Sequence, residues 1–277
     1  MMRGMFTAIS GLKQHQTMLD VTANDIANVN TIGYKSSRVT FEDTLTQMQR
    51  GAAGATANNG GSNAAQVGLG VGLGSIDNLM TGGAVQTTGN PLDVAIQNDG
   101  FFEIAMGDPT SATISPSEYT RAGNFAINSD GYLVTQGGGY VMGYAQPSGT
   151  TLAPVKVPTN ATSVAIDQSG GVSYVDTATN TRTTPFRIAL ATFPNASGLE
   201  RAGDNMWMPS ANSGPKSDNT PGVGGAGTLS PGAVEMSNVD LAQTFTNMIT
   251  AERGFQANSR VITTADDMLQ DLVNMKH

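Results

Sequence analysis

The chain has 277 residues, of which 39% are hydrophobic and only 13% are charged, and its formal net charge is −8. The hydrophobic share excludes a disordered chain, and the negative balance with scattered Lys and Arg argues against binding to nucleic acid. The absence of cysteine excludes disulfide bonds and thiolate metal sites, and no stretch is long and apolar enough for membrane insertion.

The N-terminal segment predicts a long amphipathic helix from about residue 3 to about residue 29, and Gly33 suits the left-handed turn that ends it. Apolar residues recur along this helix at three- and four-residue spacing, with Gln16 as the one polar exception. Such a narrow stripe needs a partner surface, so we assign its members to an assembly interface. They are Met5, Ile9, Leu12, Leu19, Ala23 and Ile26.

The C-terminal segment carries a strict seven-residue repeat of apolar residues, which is the pattern of a coiled-coil helix. Ser237 is the predicted N-cap, supported by Asp240 three residues later, and the helix should reach about residue 275. We expect both chain ends to be frayed until neighbouring copies cover these stripes. The repeat and one companion residue extend the assembly interface to Leu241, Met248, Phe255, Ile262, Leu269 and Leu272.

The residues between the two helices predict a β-rich body of about ten short strands. Apolar β-like runs, including 101–105 and 140–144, alternate with turn-forming residues. Residues 51–65 are rich in Gly, Ala and Asn and predict a flexible loop. The alternating glycines of 67–74 do not fit a nucleotide-binding motif, because Leu73 stands where the third glycine is required, and they favour close backbone packing instead.

The predicted fold class is α+β, with N- and C-terminal helices that form a coiled-coil stem and a β-rich central body. Residues 1–33 together with 237–277 form the stem. Residues 34–66 together with 209–236 form a connecting region, and residues 67–208 form the outer domain. One alternative stays open, in which the two helices close into a hairpin inside an ordinary monomer.

Residues suited to catalysis are sparse in this sequence. The only histidines are His15 and His277, and neither has a carboxylate or a cysteine at ligand spacing. The acidic residues at 266, 267 and 271 lack the glycine and the alternating oxygen ligands of a calcium loop, so they predict a solvated helix face. We therefore predict that the protein is not an enzyme and has no catalytic, cofactor-binding or metal-binding residues.

Residues 23–35 resemble the N-terminal signature of the bacterial flagellar rod and hook proteins, in which Asn-rich helical turns lead to a Thr-x-Gly-aromatic-Lys exit. Asp25 stands where that family usually has Asn. Residues 92–102 and 119–134 are similar to the central strands of the family, and residues 236–241 and 253–260 to its C-terminal helix. The matching signature residues are Asn24, Asn28, Thr31, Gly33, Tyr34 and Lys35.

The resemblance is strongest to the compact hook member of the family, and the distal rod member is the alternative. It implies a structural subunit that polymerises into a flexible tube between the rod and the filament for motility. The implied partners are copies of itself, the distal rod protein, the hook cap, the hook–filament junction protein and the flagellar export apparatus. We expect export through the flagellar channel without a cleaved signal peptide, to an extracellular site in the hook or basal body.

A protein of a different class also fits the composition. A monomeric β domain with a helical hairpin could bind a surface ligand such as a glycan, and it would stay monomeric at high concentration. A subunit of a polymer would instead form long assemblies that disappear when residues 241–277 are deleted.

Overall fold

The computed structural model divides the chain into two compact units. The first, called here the helical unit, consists of Met1–Ala27, Ser37–Asp77 and Asp240–His277. The second, called the β unit, consists of Asn28–Ser36 and Asn78–Val239. The structure describes residues 2–55, 60–109, 116–146, 151–177 and 180–275, so His277 lies outside the described residues.

The boundaries of these units differ from the predicted three-part division. Residues 28–33, predicted as part of the stem, and residues 34–36, predicted as part of the connecting region, belong to the β unit. Residues 209–236, predicted as connecting region, and residues 237–239, predicted as the start of the C-terminal part of the stem, also belong to the β unit. Residues 37–77, much of which was predicted to connect the helices to the body, belong to the helical unit and contain paired strands. The reason is that segments without amphipathic helical periodicity still pair through their backbones, and sequence periodicity does not reveal the partner.

Two long helices form the helical unit: α1 (Met2–Ala27) and α2 (Leu241–Asn274). They pack along each other in opposite directions, because Gly11 lies against Asn258 and Gly254 lies against the ring of His15. Both helices were predicted, and the α+β class is confirmed. None of the described helices is long and apolar enough to cross a membrane.

Two strand pairs complete the helical unit. The strands are β1 (Ser37–Asp43), β2 (Thr46–Arg50), β3 (Ala65–Gly68) and β4 (Val71–Asn78). β1 pairs with β4, and β2 pairs with β3 in antiparallel register. A further antiparallel bridge joins Ala53 to Ser62, which holds the ends of the predicted loop 51–65 together. Residues 56–59 of this loop lie outside the described residues.

The start of α2 corrects the sequence-based prediction of its N-cap. The N-cap is Asp240, whose carboxylate accepts hydrogen bonds from the backbone N–H groups of Ala242 (2.9 Å) and Gln243 (3.2 Å). Ser237 lies outside the helix, and its hydroxyl accepts from the Val239 N–H instead. Asp is as good a cap as Ser and also favours the positive end of the helix, so the Ser-x-x-Asp pattern identified the right place but the wrong residue.

The described strands of the β unit are β5 (Val85–Thr87), β6 (Val94–Gln97), β7 (Phe101–Ala105), β8 (Glu118–Thr120), β9 (Ala126–Ile127), β10 (Leu133–Val134), β11 (Tyr140–Ala145), β12 (Leu152–Pro154), β13 (Ala161–Ile166), β14 (Gly171–Asp176), β15 (Arg182–Ile188), β16 (Leu190–Thr192), β17 (Glu200–Gly203), β18 (Met206–Met208), β19 (Ser217–Asn219), β20 (Thr228–Pro231) and β21 (Ala233–Glu235). A short 3-10 helix spans Ala196–Gly198.

Most of the β unit is one sheet of thirteen strands among the described residues. Its main path runs β13-β14-β15-β11-β7-β8-β18-β17. Off this path, β12 and β10 also pair with β11, β9 pairs with β10, and β16 joins β7 to β19. Two further pairs, β20 with β6 and β21 with β5, complete the unit.

Strand β7 contributes to both hydrophobic cores of the β unit. Phe102 and Ile104 lie in the larger core, and Phe101 lies in a smaller one with Tyr119 and Trp207. Successive side chains of a strand point to opposite faces, so a strand that is buried on both faces reads as an almost continuous apolar run, which in β7 only the buried Glu103 interrupts. The predicted strands at 101–105 and 140–144 are confirmed.

The close approach of the two helices at Gly254 gives the first testable prediction. A Cβ at this position would lie 2.5 Å from the His15 ring, whereas a Cβ at Gly4 on α1 would meet nothing within 4 Å. Gly254→Ala should therefore lower the stability of the helix pair by about 1–3 kcal/mol through overpacking. Gly4→Ala, the matched control, should be neutral or stabilising by up to about 1 kcal/mol.

Thermal unfolding followed by far-UV circular dichroism measures both effects. The double variant Gly254→Ala with His15→Ala should recover most of the loss, because the ring that collides has been removed. Equal stability of the Gly254→Ala and Gly4→Ala variants would contradict the observed packing.

Candidate functional site

The signature segment after α1 is docked into the β unit by its backbone. Gly33 has φ +70°, and its N–H donates to the Glu235 carbonyl at 2.8 Å. A Cβ at this position would lie 2.6 Å from the Ala122 nitrogen. Both the left-handed conformation and the lack of space therefore require glycine, which explains its place in the Thr-x-Gly-aromatic-Lys motif.

Lys35 lies at the centre of a buried ionic cluster. Its side chain is fully buried, and the ammonium donates to the Thr81 carbonyl at 2.7 Å and to the Glu235 carboxylate. The same carboxylate accepts from the Gly83 N–H at 2.9 Å and lies 3.4 Å from the Arg121 guanidinium. Glu235 thus shares one negative charge between two buried cations, which offsets part of the cost of burying them.

Burial and the charges of this cluster shift the pKa of Lys35. Burial lowers its pKa, and the nearby positive charge of Arg121 lowers it further, while Glu235 acts in the opposite direction. The guanidinium of Arg121 also lies over the Phe101 ring, 5.2 Å from the centroid. The cluster is therefore held together by one carboxylate and by aromatic contact, with more positive than negative charge.

Arg201 supports the same segment from another strand. Its guanidinium lies 4.8 Å from the Tyr34 ring centroid and 5.2 Å from that of Trp207. It also donates to the Lys35 carbonyl and to Asn78. Burial of Tyr34 and stacking on Arg201 fix the segment where the chain enters the β unit.

The remaining signature residues are divided between the two units, with Asn28 and Thr31 in the β unit. The Thr31 hydroxyl donates to the Asn28 side-chain oxygen at 3.1 Å. Asn24 lies on α1 in the helical unit, with an exposed side chain. Asp25, the departure from the family pattern, is buried in the helical unit and accepts from the Ser37 N–H at 3.2 Å through each oxygen. An amide oxygen of Asn would accept the same hydrogen bond, so the departure preserves the contact.

The entry and the exit of the β unit are tied together. Gly33 and Lys35 bind Glu235, and the Ser36 N–H donates to the Asn238 side chain at 2.8 Å. Sequence reasoning missed Glu235 and Arg201, because nothing in their local sequence marks them. Arg121 was noticed only as part of a similar run, since ionic partners far apart in the chain leave no periodic signal.

The predicted assembly-interface residues lie on the two helices but do not form their closest contact. The fully buried positions of α1 and α2 are small or polar, namely Ala8, Gly11, Thr22, Asp25, Ala251 and Ala265. The half-buried members of the predicted set are Met5, Leu12, Leu19, Ile26, Met248, Ile262 and Leu269. The exposed members are Ile9, Ala23, Leu241, Phe255 and Leu272. Their role in assembly therefore stays a prediction.

Further large apolar side chains are exposed on the helices outside the predicted set. They are Met2, Phe6, Phe245, Ile249, Val261, Met268 and Val273. The antiparallel register places Gly11 opposite Asn258, so the last residues of α2 extend past the first residue of α1. This helical unit leaves a large apolar surface exposed, which is typical of a protein that binds another copy or partner.

A second charged cluster lies beside β7. Glu103 is fully buried, and its carboxylate lies 3.4 Å from Lys216, which is in turn 2.9 Å from Asp218. Burial raises the pKa of Glu103 from 4.5 to about 7, although Lys216 lowers it. Burial also acts to lower the pKa of Lys216, but its hydrogen bond to Asp218 and the charge of Glu103 raise it overall. Lys216 is thus paired mainly with Asp218. Lys216 therefore compensates only part of the effect of burial on Glu103, and burial favours the protonated form of Glu103.

Comparison with known proteins decides the family of this chain. Residues 5–35 match the family "Flagella basal body rod protein", residues 95–174 match "Flagellar hook protein FlgE/F/G D1 domain", and residues 230–275 match "Flagellar basal body rod FlgEFG protein C-terminal". A relative named "Flagellar basal-body rod protein FlgG" from Bacillus subtilis is 47% identical over 277 residues and covers 100% of both chains. The chain belongs to the flagellar rod and hook protein family.

Two further relatives, one named as a rod protein and one as a hook protein, differ in their sequence identity to this chain. The protein of the same FlgG name from Caulobacter vibrioides is 38% identical over 271 residues, with 97% of each chain covered. The "Flagellar hook protein FlgE" of Borreliella burgdorferi is 26% identical over 449 alignment positions, with both chains fully covered. The rod and hook family consists of structural proteins of the flagellum and not of enzymes, as predicted.

The shared carboxylate of Glu235 gives a second testable prediction. Glu235→Gln keeps the shape but leaves Lys35 and Arg121 buried without a negative partner, so the β unit should lose about 3–5 kcal/mol of stability. Glu200→Gln, at an exposed carboxylate of the same unit, should change stability by less than about 0.5 kcal/mol.

Urea unfolding followed by the fluorescence of Trp207, the single tryptophan, reports on the β unit. Equal unfolding midpoints for Glu235→Gln and Glu200→Gln would show that Glu235 does not compensate the buried cations.

The raised pKa of Glu103 gives a third testable prediction. Because the folded-state pKa of about 7 exceeds the ordinary value of 4.5, protonation favours the folded state. This contribution is fully present below about pH 4.5 and is lost as the pH rises through about 7. The shift corresponds to a loss of about 3 kcal/mol by pH 8.

Glu103→Gln should remove this pH dependence, so that the variant is more stable than the wild type at pH 8 and similar to it at pH 4.5. Urea unfolding at a series of pH values measures the difference. The other titratable groups around Glu103 are Lys216, Asp218, Tyr119 and Tyr144. A constant difference between variant and wild type across this range would contradict the prediction.

Proposed function

We propose that this protein is the subunit of the distal rod of the flagellar basal body. The observation that carries the proposal is its end-to-end similarity to proteins named as basal-body rod proteins, at 47% and 38% identity. The aligned lengths of 277 and 271 residues leave no room for a large extra or missing domain. The length of this chain and the order of its segments therefore fit the rod member of the family.

The hook role, which was the first prediction from the sequence, has weaker support. The hook protein of Borreliella burgdorferi is 26% identical, and its alignment needs 449 positions for a chain of 277 residues. Long segments of that hook protein thus have no counterpart here. The comparison favours the alternative that the sequence left open.

The exposed helices supply the physical basis for polymerisation. Leu241, Phe255 and Leu272 are 41%, 38% and 51% exposed, although each is a large apolar side chain. Burial of the exposed part against a second copy would contribute roughly 1 kcal/mol for each side chain, about half of the value for complete burial. Helices of neighbouring copies would then complete the predicted coiled-coil stem, in a tube that contacts other rod subunits and the hook protein.

The remaining partners follow from the same proposal. A subunit of this tube would reach its place through the flagellar export apparatus and its channel. The hook cap and the hook–filament junction protein, predicted as partners of a hook subunit, have less reason to bind a rod subunit.

Deletion of the gene, followed by electron microscopy of isolated basal bodies, tests the distal rod against the hook. A distal rod subunit predicts truncated rods without hooks. Complete rods that lack only a curved sleeve would refute the distal-rod proposal and restore the hook role.

Sedimentation of the purified chain at rising concentration tests assembly. The variant Leu241→Ser with Leu272→Ser should assemble less than the wild type, and the matched control Gln270→Ser, at an exposed polar position of α2, should assemble like it. A wild-type chain that stays monomeric at every concentration would favour the glycan-binding module instead.

A further inference from the structure

The C-terminal end of α2 extends past the end of α1. α2 has 34 residues and α1 has 26. The antiparallel register that places Gly11 beside Asn258 brings the first residue of α1 level with Asp267 of α2. Residues 268–275, called here the overhang, therefore project beyond the helix pair, and their large apolar side chains are exposed.

The overhang continues the contact surface of the helix pair. Ala251, Asn258 and Ala265 follow one another at seven-residue spacing, and all three face α1, since the alanines are buried and Asn258 lies against Gly11. Leu272 is the next residue at this spacing, but it is 51% exposed because α1 has ended. Seven-residue spacing keeps side chains on one face of a helix, so a further helix beside Leu272 would continue the contact.

A second exposed apolar surface lies at the other end of α2. Leu241, Phe245 and Ile249, called here the outer stripe, recur at four-residue spacing and are 41%, 50% and 58% exposed. Residues 241–251 include no charged residue, and the same face of the helix becomes polar from Glu252 onward. The outer face of α2 is therefore apolar only in its first turns.

We propose that the overhang of one copy docks on the outer stripe of the next copy. The inference rests on the proposed function, because it gives the direction in which a polymer of this chain would grow. The two surfaces match in length, since the overhang spans about 10 Å and the outer stripe about 12 Å at the helical rise of about 1.5 Å per residue. Both surfaces are helical and apolar, so the ridges of one can pack into the grooves of the other.

Two arguments favour this pairing over contact between identical surfaces. A surface that pairs with itself closes after two chains, whereas a contact between two different surfaces leaves one of each free for further chains. Asp271 lies within the overhang, which has no cation among its described residues, so two paired overhangs would bring like charges together. The outer stripe has no charge that would oppose Asp271.

Two complementary variants of the full chain test this pairing by sedimentation velocity. Phe245→Ser with Ile249→Ser removes the outer stripe and keeps the overhang, whereas Met268→Ser with Leu272→Ser does the reverse. Each variant alone should need at least about tenfold more protein than the wild type to assemble. Mixed in equal amounts, the two variants should form pairs of one chain each that do not grow further, because one intact surface of each kind remains.

A matched control carries Gln270→Ser with Asn274→Ser, at exposed polar positions of the overhang. It introduces the same residue type into the same segment and should assemble like the wild type. Far-UV circular dichroism of each variant checks that α2 is retained.

Disulfide trapping gives a second measurement that keeps the rest of both surfaces intact. The chain has no cysteine, so each substitution introduces the only thiol. Chains with Phe245→Cys, mixed with isotope-labelled chains with Leu272→Cys and oxidised, should form mixed dimers at least about tenfold more than dimers of identical chains, because a disulfide needs the two residues within about 7 Å. Mass spectrometry separates the mixed dimers from the others by the label.

Assembly of either serine variant alone at the wild-type concentration would overturn the proposal, as would a mixture that stays monomeric or trapped dimers that form mainly between identical chains. A wild-type chain that stays monomeric would remove the polymer and the docking together. Truncated rods in the deletion strain with a failed mixing experiment would refute the docking alone. Complete rods with paired variants would refute the distal-rod role alone.

Discussion

The shared carboxylate of Glu235 is the interaction on which the β unit depends. The Glu235 carboxylate is the shared negative partner of the buried Lys35 and Arg121, and the Glu235 backbone carbonyl accepts a hydrogen bond from the Gly33 N–H. The β unit starts with residues 28–36 and ends near residue 239, so this one residue ties the entry of the chain to its exit. The Ser36–Asn238 hydrogen bond joins the same two segments, so the entry and the exit of this inserted unit are held side by side by more than one contact.

The helical unit is packed differently from the β unit. Its two helices meet through small and polar residues, with glycines of each helix receiving a polar side chain of the other, while large apolar residues remain half-buried or exposed. Close packing of small residues fixes the register of the pair, but it buries little apolar area. The large residues are thereby left available for other copies, which is the property that the proposed polymer requires.

The two units thus divide the tasks of stability and assembly. The β unit holds two hydrophobic cores and two buried charged clusters formed by its own residues. The helical unit presents exposed large apolar side chains, which the proposed polymer would cover with other copies.

The sequence by itself determined the two helices, the β-rich character of the middle and the family, because periodic apolar patterns and the glycine of the Thr-x-Gly-aromatic-Lys motif are local properties of the chain. It placed the N-cap of α2 three residues too early, since Ser237 and Asp240 are both good caps and only the backbone decides between them. The tertiary structure alone decided that residues 28–36 join the β unit, that small residues form the helix contact, and that Lys35 and Arg121 meet Glu235. These features depend on contacts between residues far apart in the chain, which no spacing along the sequence records.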